Sequence, residues 1–202
     1  EDRVRYYGYI LREAMRLSRL VDDLLELSRL QSGAVALARQ RVDMNRLMRE
    51  VVGRFSPVAQ ESGLTLAYEQ PLETYAALTN ADRVEQVLVI LLDNAIRYSP
   101  DEGEIRTTLS REDDKLVVGV ENPGTLTPEQ QARVFERFYK ADAARSANGT
   151  GLGLSIAREV LALMGEKINV ASENGRIRFA FTVELDTIES NGALTDDTGG
   201  AT

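Results

Sequence analysis

Between Arg5 and Leu30 apolar residues recur at alternating steps of four and three, at Ile10, Ala14, Leu17, Val21 and Leu24. That is the period of one long helix with a continuous seam along it. Leu20 and Leu27 widen the stripe beyond a strict two-stranded seam. Packing in a bundle of more than two helices is therefore expected, with a helix laid on its own domain as the alternative. Ser32-Gly33 ends the helix, because glycine readily takes the left-handed conformation that a helix stop requires. Ala34 to Val42 reads as a linker.

From Asp43 the pattern changes. Asp43 is positioned to cap a helix through Leu47, Val51, Val52 and Phe55, with Pro57 a potential kink and Gly63 its end. Leu64 to Glu69 alternates as a half-buried strand does, and Tyr75 to Thr79 is its candidate hairpin partner. An apolar helix is expected from Asp82 to Tyr98, then a hairpin of Ile105 to Leu109 and Leu116 to Val120 about the charged turn Glu112-Asp113-Asp114. A short helix from Pro128 to Phe138, a helix from Gly151 to Met164, and strands Ile168 to Ala171 and Ile177 to Leu185 complete the pattern. Ile177, Phe179, Phe181, Val183 and Leu185 share one face of the last strand. With 202 residues and a hydrophobic fraction of 43% the chain can bury one core. The expected fold is an α+β, two-layer α/β sandwich preceded by one long amphipathic helix. The expected division is residues 1–33, helix; 34–42, linker; 43–187, main domain; and 188–202, an acidic, Gly-rich tail expected to be disordered.

What the chain lacks removes several kinds of chemistry. It contains neither histidine nor cysteine, so no imidazole base, His-based triad, thiolate metal site or disulfide can be built from these residues. The absence of cysteine suits a reducing cytoplasm. A formal net charge of −8 argues against nucleic acid as a partner, since phosphate backbones need a clustered basic surface. No apolar run approaches the roughly 18 residues of a membrane span, and no signal peptide opens the sequence.

Four local constellations carry the chemistry. On the apolar helix, Asp93-Asn94-Ala95-Ile96-Arg97-Tyr98-Ser99 places an amide among leucines and isoleucines, which is costly unless it has a partner. Asn94 is either a core amide bonded to backbone or a carbonyl donor to a hard cation such as magnesium, with Arg97 one turn on for phosphate charge and Tyr98 as a stacking surface. At a strand end, Glu121-Asn122-Pro123-Gly124 is either a common turn or a place where Gly124 admits a planar ligand and Asn122 bonds a purine edge. In Phe135-Glu136-Arg137-Phe138-Tyr139-Lys140 the phenylalanines close a small core, while Arg137 and Lys140 face solvent or an anion. Lastly, Gly149-Thr150-Gly151-Leu152-Gly153-Leu154 stands directly before a helix. Glycines there expose backbone N–H groups and the helix terminus adds about half a positive charge, which favours phosphate; a flexible hinge is the alternative. No Lys-Ser/Thr pair follows, which excludes the Walker pattern, and no βαβ unit surrounds it, so the dinucleotide pattern fits poorly.

In this order and spacing the four segments resemble the asparagine, first glycine, phenylalanine and second glycine boxes of sensor histidine kinases, on the Bergerat ATP-binding fold shared with gyrase, the Hsp90 chaperones and MutL. The resemblance runs from about Asp43 to Leu185, and Arg16-Leu17 to Leu30-Gln31-Ser32-Gly33 is similar to the family's second dimerisation helix. It implies ATP beneath a lid at about Tyr139 to Asn148, magnesium on Asn94, and Arg97, Arg137, Lys140 or Arg145 near the phosphates. Gly149, Thr150, Gly151, Leu152, Gly153 and Leu154 would cradle the nucleotide, with Tyr98, Asn122 and Gly124 near adenine. It also implies a homodimer through residues 5–30, an acceptor helix whose histidine takes the γ-phosphoryl, and a response regulator receiver domain as the next acceptor. Three positions depart from the family. Ile90 stands where a second amide is usual, Asn122 where an aspartate normally accepts from the adenine amino group, and Thr125-Leu126 replaces a glycine. Two function classes follow: a protein-histidine kinase domain, or a degenerate nucleotide-binding or dimerisation module without kinase activity.

Overall fold

The structure is a computed structural model and describes residues 2–32, 37–140 and 149–186. The opening segment is a single helix, α1 (Asp2–Gln31). Its stripe divides between two faces. Leu27 and Leu30 are buried and Leu20 packs against the same core, whereas Ile10, Leu17, Val21 and Leu24 are exposed. The helix thus lies on its own domain, in contact with α5, and still presents the seam read from the sequence.

After the segment 33–36, which lies outside the described residues, β1 (Gln40–Asp43) pairs antiparallel with β3 (Ala76–Thr79). This corrects two expectations. The end of the supposed linker is a strand, and the segment Tyr75 to Thr79 pairs with it rather than with β2 (Thr65–Glu69), which runs parallel to β4 (Glu104–Glu112). The cause lies at Asn45. Its buried side chain donates to the Glu73 carbonyl at 3.0 Å and accepts from the Tyr75 amide at 2.7 Å, and the Met44 amide donates to the Tyr75 carbonyl. Those bonds draw the chain before β3 to the start of α2 and away from β2. Gln40–Asp43 is short and buries only Val42, so it carries no readable alternation.

Helix α2 (Met44–Glu61) is capped as expected, the Asp43 carboxylate accepting from the Arg46 amide at 2.9 Å, and it continues through Pro57. Gly63 follows in the left-handed region at φ 72°. Helix α3 (Ala81–Tyr98) is capped by Asn80 and buries Val84, Val87, Leu88, Leu91, Leu92 and Ala95, a stripe at helical period. Each buried valine and leucine contributes about 1.5–3 kcal/mol of burial. Strands β4 and β5 (Lys115–Pro123) form the expected hairpin. Next come α4 (Pro128–Arg133), with a Thr127–Gln130 capping box, and α5 (Gly153–Met164), closed by Gly165 at φ 78°. A second hairpin, β6 (Ile168–Glu173) and β7 (Arg176–Glu184), turns at Asn174-Gly175, both at positive φ.

The main sheet has the order β2-β4-β5-β7-β6, with β2–β4 its parallel pair. Ile177, Phe179, Phe181 and Val183 point inward from β7, as the alternation requires, and Leu185 is half-buried beyond it. Helices α2, α3 and α5 contact this sheet, and the core between the layers is built on Leu88, Leu91, Leu92, Ile105, Leu116, Ile156, Leu161 and Phe181. The result is the α+β sandwich expected, with the end of α3 beside the loop that opens α5. Residues 188–202, expected as a tail, lie outside the described residues.

Candidate nucleotide site

Asn94 projects from α3, half-buried, and among the described residues its amide has no hydrogen-bond partner. The alternative of a core amide satisfied by backbone is therefore not what is observed. One turn on, Arg97 pairs with Asp93 at 2.7 Å. Its guanidinium lies over the glycine loop so closely that a Cβ on Gly149 would stand 2.8 Å from Arg97 Nη1, with the Tyr98 hydroxyl at 3.8 Å. The first and fourth constellations, more than fifty residues apart in sequence, thus form one surface.

The third joins them through backbone. Gly151 is left-handed at φ 75°, and a Cβ there would meet Phe138 Cα at 2.9 Å. The Phe138 amide donates to the Gly151 carbonyl at 2.8 Å, and Phe138 itself is held at φ 62°. Glycine is required here by conformation and by space at once. Helix α5 has no side-chain cap on its first amides, which leaves donors and the positive end of its dipole toward the loop. Thr150 Oγ accepts from the Leu152 amide at 3.3 Å and donates to Asp23 Oδ2 of α1 at 2.7 Å. Burial raises the pKa of the Asp23 carboxyl, although the Thr150 bond works the other way.

The remaining cations differ in their commitments. Lys140 is held below the usual ammonium range by burial first and then by Arg16 and Arg97, a concentration of positive charge that an anion would relieve. Arg137 reaches Glu159 of α5 at 3.8 Å. Tyr139 packs against the core beneath the Arg133 guanidinium, 4.7 Å above its ring. Arg145 lies outside the described residues, as does most of the expected lid. Leu152 is fully buried, so only its backbone faces a ligand, and Leu154 is half-buried.

Asn122 and Gly124 stand at the end of β5 with partners of their own. Asn122 is buried, and its Nδ2 donates to the Pro123 carbonyl at 2.9 Å, which leaves Oδ1 as the free end of the amide. Gly124 is held at φ 150°, a backbone conformation that favours glycine, and a Cβ there would stand 2.9 Å from Ile177 Cδ1, the mobile end of that side chain. Ile90 closes the opposite side. A Cβ on Gly153 would lie 3.3 Å from Ile90 Cγ2, so an alkyl group faces the first turn of α5. Asp23 was not singled out from the sequence. The signal that could have found it is a carboxylate at a stripe position between Leu20 and Leu27.

Among the described residues no group of three acidic side chains could hold a metal alone, so a cation here would depend on Asn94 together with ligand oxygens. A cavity of about 310 Å³ lined by Asp22, Leu25, Glu26, Arg29, Leu30 and Arg83 shares no residue with this cluster.

A helix-backed mixed sheet, with an unsatisfied asparagine and an arginine set against a glycine loop at an uncapped helix start, defines a nucleotide-binding domain of the Bergerat kind. The chain belongs to the histidine kinase-, DNA gyrase B- and HSP90-like ATPase family, whose sequence model matches residues 79–188. Within it, the similarity is to sensor histidine kinases. Sensor protein SrrB of Staphylococcus aureus is 33% identical over 173 residues, 83% of this chain and 29% of that protein. Full-length ShkA, solved in complex with AMPPNP, is 32% identical with a TM-score of 0.73, over 90% of this chain and 38% of that one. Histidine kinase ThkA, in complex with response regulator protein TrrA, is 25% identical with a TM-score of 0.74, over 90% of this chain and 51% of that one. The chain spans less than a third of the curated relatives it matches. No described helix is long and apolar enough to cross a membrane.

Proposed function

We propose that this domain binds ATP with magnesium between α3 and the loop opening α5, and transfers the γ-phosphoryl to a histidine outside these 202 residues, from which it passes to a response regulator receiver domain. The observation that carries the reading is the approach of Arg97 and Tyr98 to Gly149, with the amide of Asn94, unpartnered among the described residues, one turn earlier on the same helix. Asn94 would hold magnesium through its amide oxygen, with phosphate oxygens and waters completing an octahedral shell. The metal would supply neutralisation of phosphate charge. Arg97 and Lys140 add positive charge, and the uncapped amides of α5 receive phosphate oxygens. Tyr98, Asn122 and Gly124 would serve adenine, the free Oδ1 of Asn122 accepting from its amino group without charge assistance.

Ile90 shapes which reaction follows. No carboxylate or amide stands there to orient water, so hydrolysis is disfavoured, whereas a histidine acceptor brings its own nucleophilic nitrogen. The same residue motivates the second reading, a binding module without kinase activity. The exposed seam of α1 supports a homodimer through residues 5–30, since apolar stripes of that length usually find partners.

Titration calorimetry tests the site. Asn94→Ala is expected to lose most of the magnesium-dependent part of ATP affinity while circular dichroism stays unchanged. Equal affinity with and without Asn94 would remove that residue from the site.

A further inference from the structure

Arg16, Leu20, Asp23, Leu27 and Leu30 recur on α1 at steps of four and three, so they share one face. Leu27 and Leu30 are buried on the domain and Leu20 packs against its core. A carboxylate in the middle of such a face costs free energy unless something answers it. Among the described residues Asp23 has one hydrogen-bond partner, the Thr150 hydroxyl at 2.7 Å. Thr150 lies between Gly149, beneath Arg97 and Tyr98, and Gly151, against Phe138, at the centre of the loop read above as the phosphate cradle. The helix therefore places a negative charge on the loop where a polyphosphate would place its own. Glu26 and Asp22 add to that charge, and Arg19 offsets it in part.

We propose that Asp23 is a latch that couples the docking of α1 to the occupancy of the glycine loop, and that the ligand releasing it is a nucleoside polyphosphate. The inference rests on the nucleotide reading of the site and adds its regulation. With the loop empty, Thr150 donates to Asp23 and α1 is held against α5. With phosphates in the loop the two sets of negative charge repel across Thr150, and the docked position of α1 loses its polar anchor. Linkage makes the effect reciprocal: docked α1 weakens nucleotide binding by the factor by which nucleotide weakens docking. Movement of the seam-bearing helix would thus be tied directly to nucleotide state.

Asp23→Asn separates charge from shape, because the amide keeps an acceptor for Thr150 and carries no charge. Calorimetric titration of magnesium-ATP is run on the full chain and on this variant. In parallel, spin labels are placed on Ser18→Cys and Glu173→Cys, both exposed positions in a chain without cysteine. The latch predicts affinity about tenfold tighter in Asp23→Asn, within the usual range of such couplings. It also predicts a label-to-label distance that shifts with magnesium-ATP in the chain bearing Asp23 and shifts little in the variant. Equal affinities and equal shifts, with ATP bound by both, would overturn the latch and leave the nucleotide reading intact. Binding by neither would overturn both.

Discussion

Gly151 ties two motifs together by what it lacks. Its left-handed φ of 75° and the 2.9 Å approach of Phe138 Cα exclude any side chain. Gly151→Ala is expected to cost about 1–3 kcal/mol in urea denaturation, the range for forcing a residue into such a conformation, and to weaken ATP binding because the loop must shift. Stability and affinity both unchanged would mean that Phe138 yields freely. The four motifs were legible because each joins residue types of unusual chemistry at fixed spacing, and the structure adds what holds them. Gly124 shows the limit: neither its φ of 150° nor the approach of Ile177 Cδ1 to where its Cβ would stand could be read from the sequence. Asp23 was illegible as a site residue, since its partner is 127 positions away and a carboxylate on a helix usually means a solvated face.

Helix α1 carries two seams, one residue out of step, and they do different work. Leu27→Ala removes a side chain buried on the domain, and is expected to destabilise the docked helix by about 2–5 kcal/mol, read as earlier loss of helical signal in a denaturant titration. Leu17→Glu with Leu24→Glu changes only exposed positions. That pair should leave the melting transition in place and abolish self-association in analytical ultracentrifugation; a monomer before the change would contradict the dimer. Docking should also respond to acid. Burial raises the Asp23 pKa above its unfolded value of 3.8, so the docked state binds its proton more tightly, and docking strengthens as pH falls through the raised value toward 3.8. A comparison with Asp23→Asn should show the variant the more stable at neutral pH, with the gap narrowing in acid. Among the elements, the long helices and the β4–β5 hairpin were readable from period and turn chemistry, whereas the hairpin expected of β2 and β3 was not formed. The β1–β3 pairing was not readable, because both strands are four residues long and the choice of partner is made by the hydrogen bonds of Asn45.

The molecule as a whole is an α+β sandwich with the end of α3 and the loop opening α5 brought together, and a long helix that leans on α5 and shows an apolar seam outward. The overall class was legible because inward alternation on β7 and the α3 stripe demand a sheet backed by helices. The tilt of α1 onto the domain was not, since a stripe wide enough for a bundle is also wide enough for a domain face. The central claim is that this arrangement positions ATP for transfer to a histidine and not to water. The measurement that tests it mixes the chain with radiolabelled magnesium-ATP and a separate hairpin fragment bearing an acceptor histidine, in parallel with the Ile90→Asn variant. The account predicts labelled hairpin from the unmodified chain with negligible release of free phosphate. Absence of label with both proteins, while ATP is bound by each, would contradict it.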